Sequence, residues 1–499
     1  MKSLAGGLAV VWLLPAVAFA GTVPDLATLR SNLHEHISQP RFEAAMWGVK
    51  IVSLDSGQTL FEHNARKLLK PASNAKLFTA ALALDRFGPD HRIKTSLYSA
   101  ARPDKSGILR GDLVVYGRGD PSFAERFNQG DYLKILQPCV EAIAAVGIKQ
   151  VRGDLVGDES FFRGPPFGAQ WTWDDLQQYY GAESSALTVQ DNVVDLILKP
   201  GPRVGLPCRI LTLPETSYLT FSNRTVTMEA GSRRRISLYR PIGENVVHVS
   251  GWMPLDGTNY VDAVSVHRPA LWFVTLLKDA LAKRGIRVAG NLRAVDWLER
   301  EAKPNDVLKR VELGSVSSPP LGEIITKMMK PSQNLYAHLL LLQVGAQNTQ
   351  PIPWQTTEDS GLAELEKFLG EAGVPKSSVL LEEGSGLSRG ALVTADATLQ
   401  LLKFMTQHRH VAAFRESLPV AGVDGTLRNR MKGTAAARNA RAKTGTLRYV
   451  NTLSGYVTSK AGENLVFSLM LNNYEGEAGR AALDDVVVML AEIGFRSSR

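Results

Sequence analysis

A serine and a lysine three residues apart, Ser73-Asn74-Ala75-Lys76, can supply a nucleophile and its base. A neutral hydroxyl attacks an unactivated amide carbonyl only with a proton acceptor within hydrogen-bond reach. Residues three apart lie on one face of a helix, which would bring Lys76 beside Ser73. A lysine that is desolvated and close to other cations can lose its proton near neutral pH, so Lys76 is the expected general base. Ser332-Gln333-Asn334 and Lys443-Thr444-Gly445 follow in that order. Ser332 can relay a proton toward a departing amine, while Asn334 can hydrogen-bond a substrate backbone and hold Lys76 in place. Lys443 and Thr444 offer a cation and a hydroxyl to a carboxylate such as the free C-terminus of a peptide. Gly445 would let that peptide lie close against its strand. The backbone N–H groups of Ser73 and Thr446 are the candidates for an oxyanion hole. Each pattern occurs once in the chain. Taken singly, each has a plain structural explanation: a surface pair on a helix, a helix cap, an exposed turn. Their order and their places on a helix mouth, an interhelical loop and a strand favour the chemical reading.

The elements that must position these groups follow from periodicity. Ser73 precedes the apolar run 77–84, which is rich in good helix formers and ends near Gly88, so the serine sits at the mouth of a buried helix. Helical stretches at 319–329 and 334–344 are parted by Lys330-Pro331-Ser332-Gln333, where the proline breaks the run. Residues 440–459 and 464–472 read as adjacent strands, and 477–493 as a closing amphipathic helix with Leu483, Val486, Val487, Leu490 and Ile493 on one face. At the other end, 24–38 reads as a helix, and 46–55 with 58–63 as a hairpin about Ser56-Gly57. Between about 98 and 296 the texture changes to short alternating strands with frequent glycines, and Arg-Gly-Asp-Leu recurs at 110–113 and 152–155 as equivalent turns leading into strands. The expectation is an α/β (α+β) chain: a catalytic domain from 21–97 and 297–499, its antiparallel sheet flanked by helices, interrupted by a β-rich insertion at 98–296.

At 499 residues, two or more domains are expected, and the 44% hydrophobic, 21% charged composition is that of a globular protein. Lys2, the apolar run 8–14, Pro15 and Ala18-Phe19-Ala20 read as a secretory signal at 1–20, cleaved after Ala20 and shorter than the ~20 residues a membrane span needs. Export would place the two cysteines, Cys139 and Cys208, in an oxidising compartment where they could pair or remain buried thiols. Arg233-Arg234-Arg235 lies in a turn-like setting and reads as a solvated hairpin, so nucleic acid is not an expected partner. His34-Glu35-His36 and His408-Arg409-His410 lack a partner cluster for a metal, and the serine chemistry needs no cofactor.

Several longer segments carry a resemblance: Gly111-Asp112-Leu113 with Gly119-Asp120-Pro121, Trp171-Thr172-Trp173, Glu383-Gly384-Ser385-Gly386-Leu387-Ser388-Arg389, the 419–427 run ending Asp424-Gly425-Thr426-Leu427, and Lys443-Thr444-Gly445-Thr446. With them the chain resembles the penicillin-binding proteins of the serine D-Ala-D-Ala carboxypeptidase/endopeptidase family, the periplasmic type with a large insertion. The long stretch between Ser73 and Ser332 matches that branch better than the compact β-lactamases. The resemblance implies a β-lactamase/transpeptidase-like catalytic domain and an insertion of two small β-rich domains, one nested in the other. It further implies cleavage of D-Ala-D-Ala and D-Ala-diaminopimelate bonds of peptidoglycan through an acyl-enzyme at Ser73, acylation by β-lactams, and a periplasmic location. The net charge of +8 suits anionic cell-wall polymers or a peripheral membrane association. The substrate side chain of that family ends in an amino acid. Asp158 matches the position expected to pair with its ammonium, or is a turn residue, and Arg389 the position expected to pair with its carboxylate.

The chain departs from the family pattern at Gln333 and Glu383, where Asp is usual, at His338 in place of a common acid, and at Arg448, whose charge would lie near the acyl-donor side. Two other readings stay open: a β-lactamase, which must release penicillin quickly, and a non-catalytic cell-wall-binding protein that retains the fold.

Overall fold

Alternation in the strand Asn464–Asn472 organises the catalytic half. Leu465, Phe467, Leu469 and Leu471 enter one core, and Val466 and Met470 enter another on the opposite face, as period-two geometry requires. The computed structural model describes residues 25–303, 310–348, 352, 354–476 and 478–497; the segment read as a signal, 1–20, lies outside them. Asn464–Asn472 is the middle strand of a five-stranded antiparallel sheet in the order Arg441–Leu447, Val450–Thr458, Asn464–Asn472, Met46–Ser53, Thr59–His63. Helices Leu26–Ile37 and Ala478–Ala491 cover one face. On the other face lie Ala75–Phe87, Leu321–Met329, Asn334–Gly345, Thr357–Glu371 and Ala395–Gln407. Ala75–Phe87 is buried on every side from Ala75 to Leu84, and Asn334–Gly345 is buried along its whole length. Helices this apolar all round must be buried, and here they are the core of the helical layer. The α+β fold with a helix-flanked antiparallel sheet is therefore as the sequence implies.

The intervening stretch builds further sheets. A mixed five-stranded sheet runs in the order Leu292–Val295, Leu155–Asp158, Leu113–Tyr116, Lys94–Ser99, Val311–Ser317, and helices Gln137–Ala145 and Pro269–Lys283 pack on it. Its strands reach beyond 98–296 on both sides, because Val311–Ser317 pairs with Lys94–Ser99 and closes the insertion at its two ends. Two three-stranded sheets drawn from 193–265 are nested within it. The repeated Arg-Gly-Asp-Leu turns become neighbours: Leu113 pairs with Leu155 in parallel register, and Asp112 accepts the Asp154 N–H at 2.8 Å. A third turn, Gly290-Asn291-Leu292, extends the ladder, its Asn291 N–H donating to Asp154 at 2.8 Å and its Leu292 pairing with Leu155.

Cys139 and Cys208 are both free thiols buried in the core of this second body, so the disulfide the spacing allowed is not formed. Cys139 lies inward on the helix Gln137–Ala145 and Cys208 precedes the strand Arg209–Leu213, each surrounded by apolar side chains. Burial pushes the Cys139 thiol well up, which leaves it unreactive.

Candidate active site

Ser73 occupies a 3-10 turn, Ala72–Asn74, that runs directly into the helix Ala75–Phe87. Ala72 holds φ = +46°, a left-handed conformation costly for a residue with a Cβ, immediately before Ser73. Two contacts fix the turn to the sheet: Thr452 Oγ1 donates to Pro71 O at 2.8 Å, and Asn74 Nδ2 donates to Ser454 Oγ at 2.7 Å. On the facing edge strand Arg441–Leu447, a Cβ at Gly445 would lie 2.2 Å from Thr452 Oγ1 and 3.0 Å from the Ser73 nitrogen. Only glycine lets that strand close on the serine.

Lys76 Nζ stands 2.8 Å from Ser73 Oγ, 2.6 Å from Asn334 Oδ1 and 2.8 Å from the Ser385 carbonyl. Burial lowers its pKa to about 7, partly opposed by the negative charge of Glu383. Glu383 is itself buried and anchors the 383–389 loop by accepting the N–H groups of Ser385 at 2.6 Å, Leu387 at 2.9 Å, and Gly386. The two departures Glu383 and His338 meet here. His338 Nδ1 lies 3.9 Å from Glu383 and its Nε2 3.5 Å from Glu358, whose carboxyl is pushed up to about 8 by burial and by Glu383.

Lys443 Nζ donates to Ser332 Oγ at 2.8 Å and to Thr444 O at 2.7 Å, while Thr444 Oγ1 is 2.7 Å from Thr426 Oγ1. Burial, reinforced by the nearby Lys76 cation, pushes Lys443 well below the usual lysine range. The three motifs thus supply two polar networks, one joining Ser73, Lys76 and Asn334 and the other joining Lys443 and Ser332. Ser73, Ser332, Asn334, Thr444, Thr446 and Arg389 line a cavity of about 740 Å³.

Part of that cavity comes from the insertion: Arg126, Asp174, Asp175, Tyr179 and Tyr180 reach into it, which the sequence did not reveal. Trp171-Thr172-Trp173 stands directly before the two acids and was the available signal. Asn334 Nδ2 donates to the Tyr180 carbonyl at 2.9 Å. Asp191 accepts from Gln333 Nε2 at 3.1 Å and from Tyr336 Oη at 2.5 Å and pairs with Arg126, so the insertion grips the loop that carries Ser332. Gln333 can donate to Asp191, whereas a carboxylate at that position would repel it.

Asp158 is not in the cavity. It is fully buried at the end of the strand Leu155–Asp158, held by Arg300 and by Arg310 at 3.0 Å, and it stitches the margins of the insertion sheet together. With both cations committed to it and no exposed surface, it cannot meet a substrate ammonium. The acids that do face the cavity are the exposed Asp174 and the buried Asp175, the latter 3.7 Å from Arg389. Arg389 lines the cavity wall.

The model of the D-Ala-D-Ala carboxypeptidase 3 (S13) family matches residues 29–493. The chain belongs to this family. It is therefore a serine peptidase. The chain is 34% identical to a D-alanyl-D-alanine carboxypeptidase of Actinomadura sp. (strain R39), over 98% of this chain and 90% of the relative. It is 25% identical to the D-alanyl-D-alanine carboxypeptidase DacB of Haemophilus influenzae, over 88% of each. The crystal structure of penicillin binding protein 4 from Haemophilus influenzae is similar across 91% of this chain and 97% of that chain, with a TM-score of 0.78 and 25% identity.

Proposed function

We propose that this protein is a periplasmic D-Ala-D-Ala carboxypeptidase, with DD-endopeptidase activity on peptidoglycan stem peptides, that works through an acyl-enzyme at Ser73. The observation that carries the reading is the 2.8 Å contact of Lys76 Nζ with Ser73 Oγ, in a site where burial brings that lysine to about 7. Neutral Lys76 takes the Ser73 proton as Oγ attacks the penultimate D-alanine carbonyl. The backbone N–H groups of Ser73 and Thr446 receive the developing oxyanion. The substrate carboxylate lies against Thr444 and Lys443, and its arrival raises the pKa of Lys443. The proton taken up by Lys76 then passes to the departing amine with Ser332, which accepts from Lys443, as the relay, and Lys76 is neutral again. Water then attacks the ester, with Lys76 again accepting a proton, and the serine is regenerated.

In this reading the terminal amino acid of the substrate side chain is met by Arg389 at its carboxylate and by Asp174, in place of Asp158, at its ammonium. A β-lactam enters as a cyclic analogue of the scissile amide and leaves Ser73 acylated. A β-lactamase would shed that adduct within the assay, whereas a carboxypeptidase of this design keeps it. Intact-protein mass spectrometry after brief exposure to benzylpenicillin, run beside Ser73→Ala, tests the proposal: a persistent adduct on the parent alone is expected, and an unmodified parent with intact antibiotic would sink it. The mass of the mature chain expressed with residues 1–20 tests export, with cleavage after Ala20 expected.

A further inference from the structure

Beyond Thr446 a second cavity of about 660 Å³ adjoins the first and shares Thr446, Leu447, Arg448 and Arg480 with it. Arg448 lies in the two-residue turn joining the strands Arg441–Leu447 and Val450–Thr458, with its guanidinium 5.1 Å from the Tyr449 ring centroid. Arg480 stands in the first turn of the helix Ala478–Ala491 and lines the same cavity. Both are exposed, and among the described residues neither forms an ion pair. Glu475 lines the same cavity but lies beyond ion-pair distance of both. Of the other arginines on the cleft, Arg126 is committed to Asp191 and Arg430 to Asp484, and Arg389 lies 3.7 Å from Asp175 at the side-chain pocket. Two unpaired guanidinium groups facing one concavity form a fork for a planar anion.

The direction of the edge strand says which part of a substrate would reach them. Lys443 and Thr444 receive the terminal carboxylate, and Thr446 supplies an oxyanion N–H. A peptide laid along the strand then runs from its C-terminus toward its upstream residues as the strand runs from 444 to 448. At ~3.3 Å per residue, Arg448 stands two positions past the oxyanion site. We propose that Arg448 and Arg480 form a carboxylate subsite for the acyl-donor peptide, binding a free carboxylate carried upstream of the side-chain pocket, such as the α-carboxylate of a γ-linked D-glutamyl residue. This rests on the D-Ala-D-Ala carboxypeptidase reading and adds to it a specificity element at the end of the cleft where the two cavities meet.

The test compares two peptides ending in D-Ala-D-Ala that differ only in whether the γ-linked residue bears a carboxylate or a carboxamide, with released D-alanine as the readout. The parent is expected to favour the carboxylate in kcat/KM by on the order of tenfold, mostly through KM. In R448Q/R480Q the ratio of the two falls to about one, and rising ionic strength narrows the parent's ratio in the same direction. Because both peptides report on the same active fraction, a partly folded variant does not distort the ratio. A parent ratio near one, or a double variant that keeps the parent's preference, overturns the subsite. Failure of the underlying reading has its own signature: a parent that releases D-alanine from neither peptide and takes up no penicillin.

Discussion

Lys76 must be neutral before it can accept the Ser73 proton, so its environment sets the lower end of the working pH range. With a pKa of about 7, kcat/KM for acylation is expected to fall about tenfold per pH unit below that point and to level off above it. Glu383 favours the charged lysine, so Glu383→Gln should move this acid limb to lower pH; a limb that stays in place or moves upward in a pH–rate profile would remove Glu383 from the account. At this scale the sequence was informative where chemistry is local. Ser73 and Lys76 are three residues apart and the helix does the rest. Asp158 fails as the ammonium site for the converse reason: the resemblance selects it, and nothing near it in the sequence announces Arg300 and Arg310, which lie 142 and 152 residues further along the chain. Glu383 and His338 were visible only as two isolated departures. Their pairing needed the contact between the helix Asn334–Gly345 and the 383–389 loop.

The stacked turns of the insertion show how an element can be half read. Two Arg-Gly-Asp-Leu copies were recognised as equivalent, and they are adjacent rungs; Gly290-Asn291-Leu292 escaped because asparagine replaced the aspartate and no arginine preceded it. The turns approach so closely that a Cβ at Gly153 would lie 2.5 Å from the Gly111 carbonyl carbon and 2.6 Å from the Asp112 nitrogen, both backbone atoms that cannot swing aside. Gly153→Ala should therefore cost about 2 kcal/mol, read as a lower denaturation midpoint. Penicillin acylation of the molecules that remain folded is expected at the parental rate, since the ladder does not touch the cleft. A variant as stable as the parent would mean that the turns part without penalty.

For the whole molecule, the insertion is a working wall of the cleft. Asp191 stands in three consecutive residues with positive φ, Gln190, Asp191 and Asn192, and takes Arg126, Gln333 and Tyr336 as partners. Gln333→Glu sets one carboxylate against another at this junction. It should slow acylation by roughly tenfold or more while the melting temperature changes little, and Gln333→Asn, which keeps a donor amide, should recover part of the rate. Equal rates in parent and Gln333→Glu would show that the grip on the Ser332 loop is dispensable. Sequence patterns could not assign this role, because the contacts of Asp191 with Gln333 and Tyr336 cross from the insertion to the catalytic half of the chain.

The sheet order has one more consequence, which concerns timing. Met46–Ser53, made early, lies beside Asn464–Asn472, made near the end, and the strand that faces Ser73 is Arg441–Leu447. The nested bodies drawn from 94–317 are contiguous and can close while the ribosome is still at work. The catalytic sheet cannot, since its middle strand does not yet exist. A newborn chain therefore carries its serine for most of synthesis without a lysine edge, an oxyanion N–H from Thr446 or a cleft, and becomes a peptidase only when its last strands arrive.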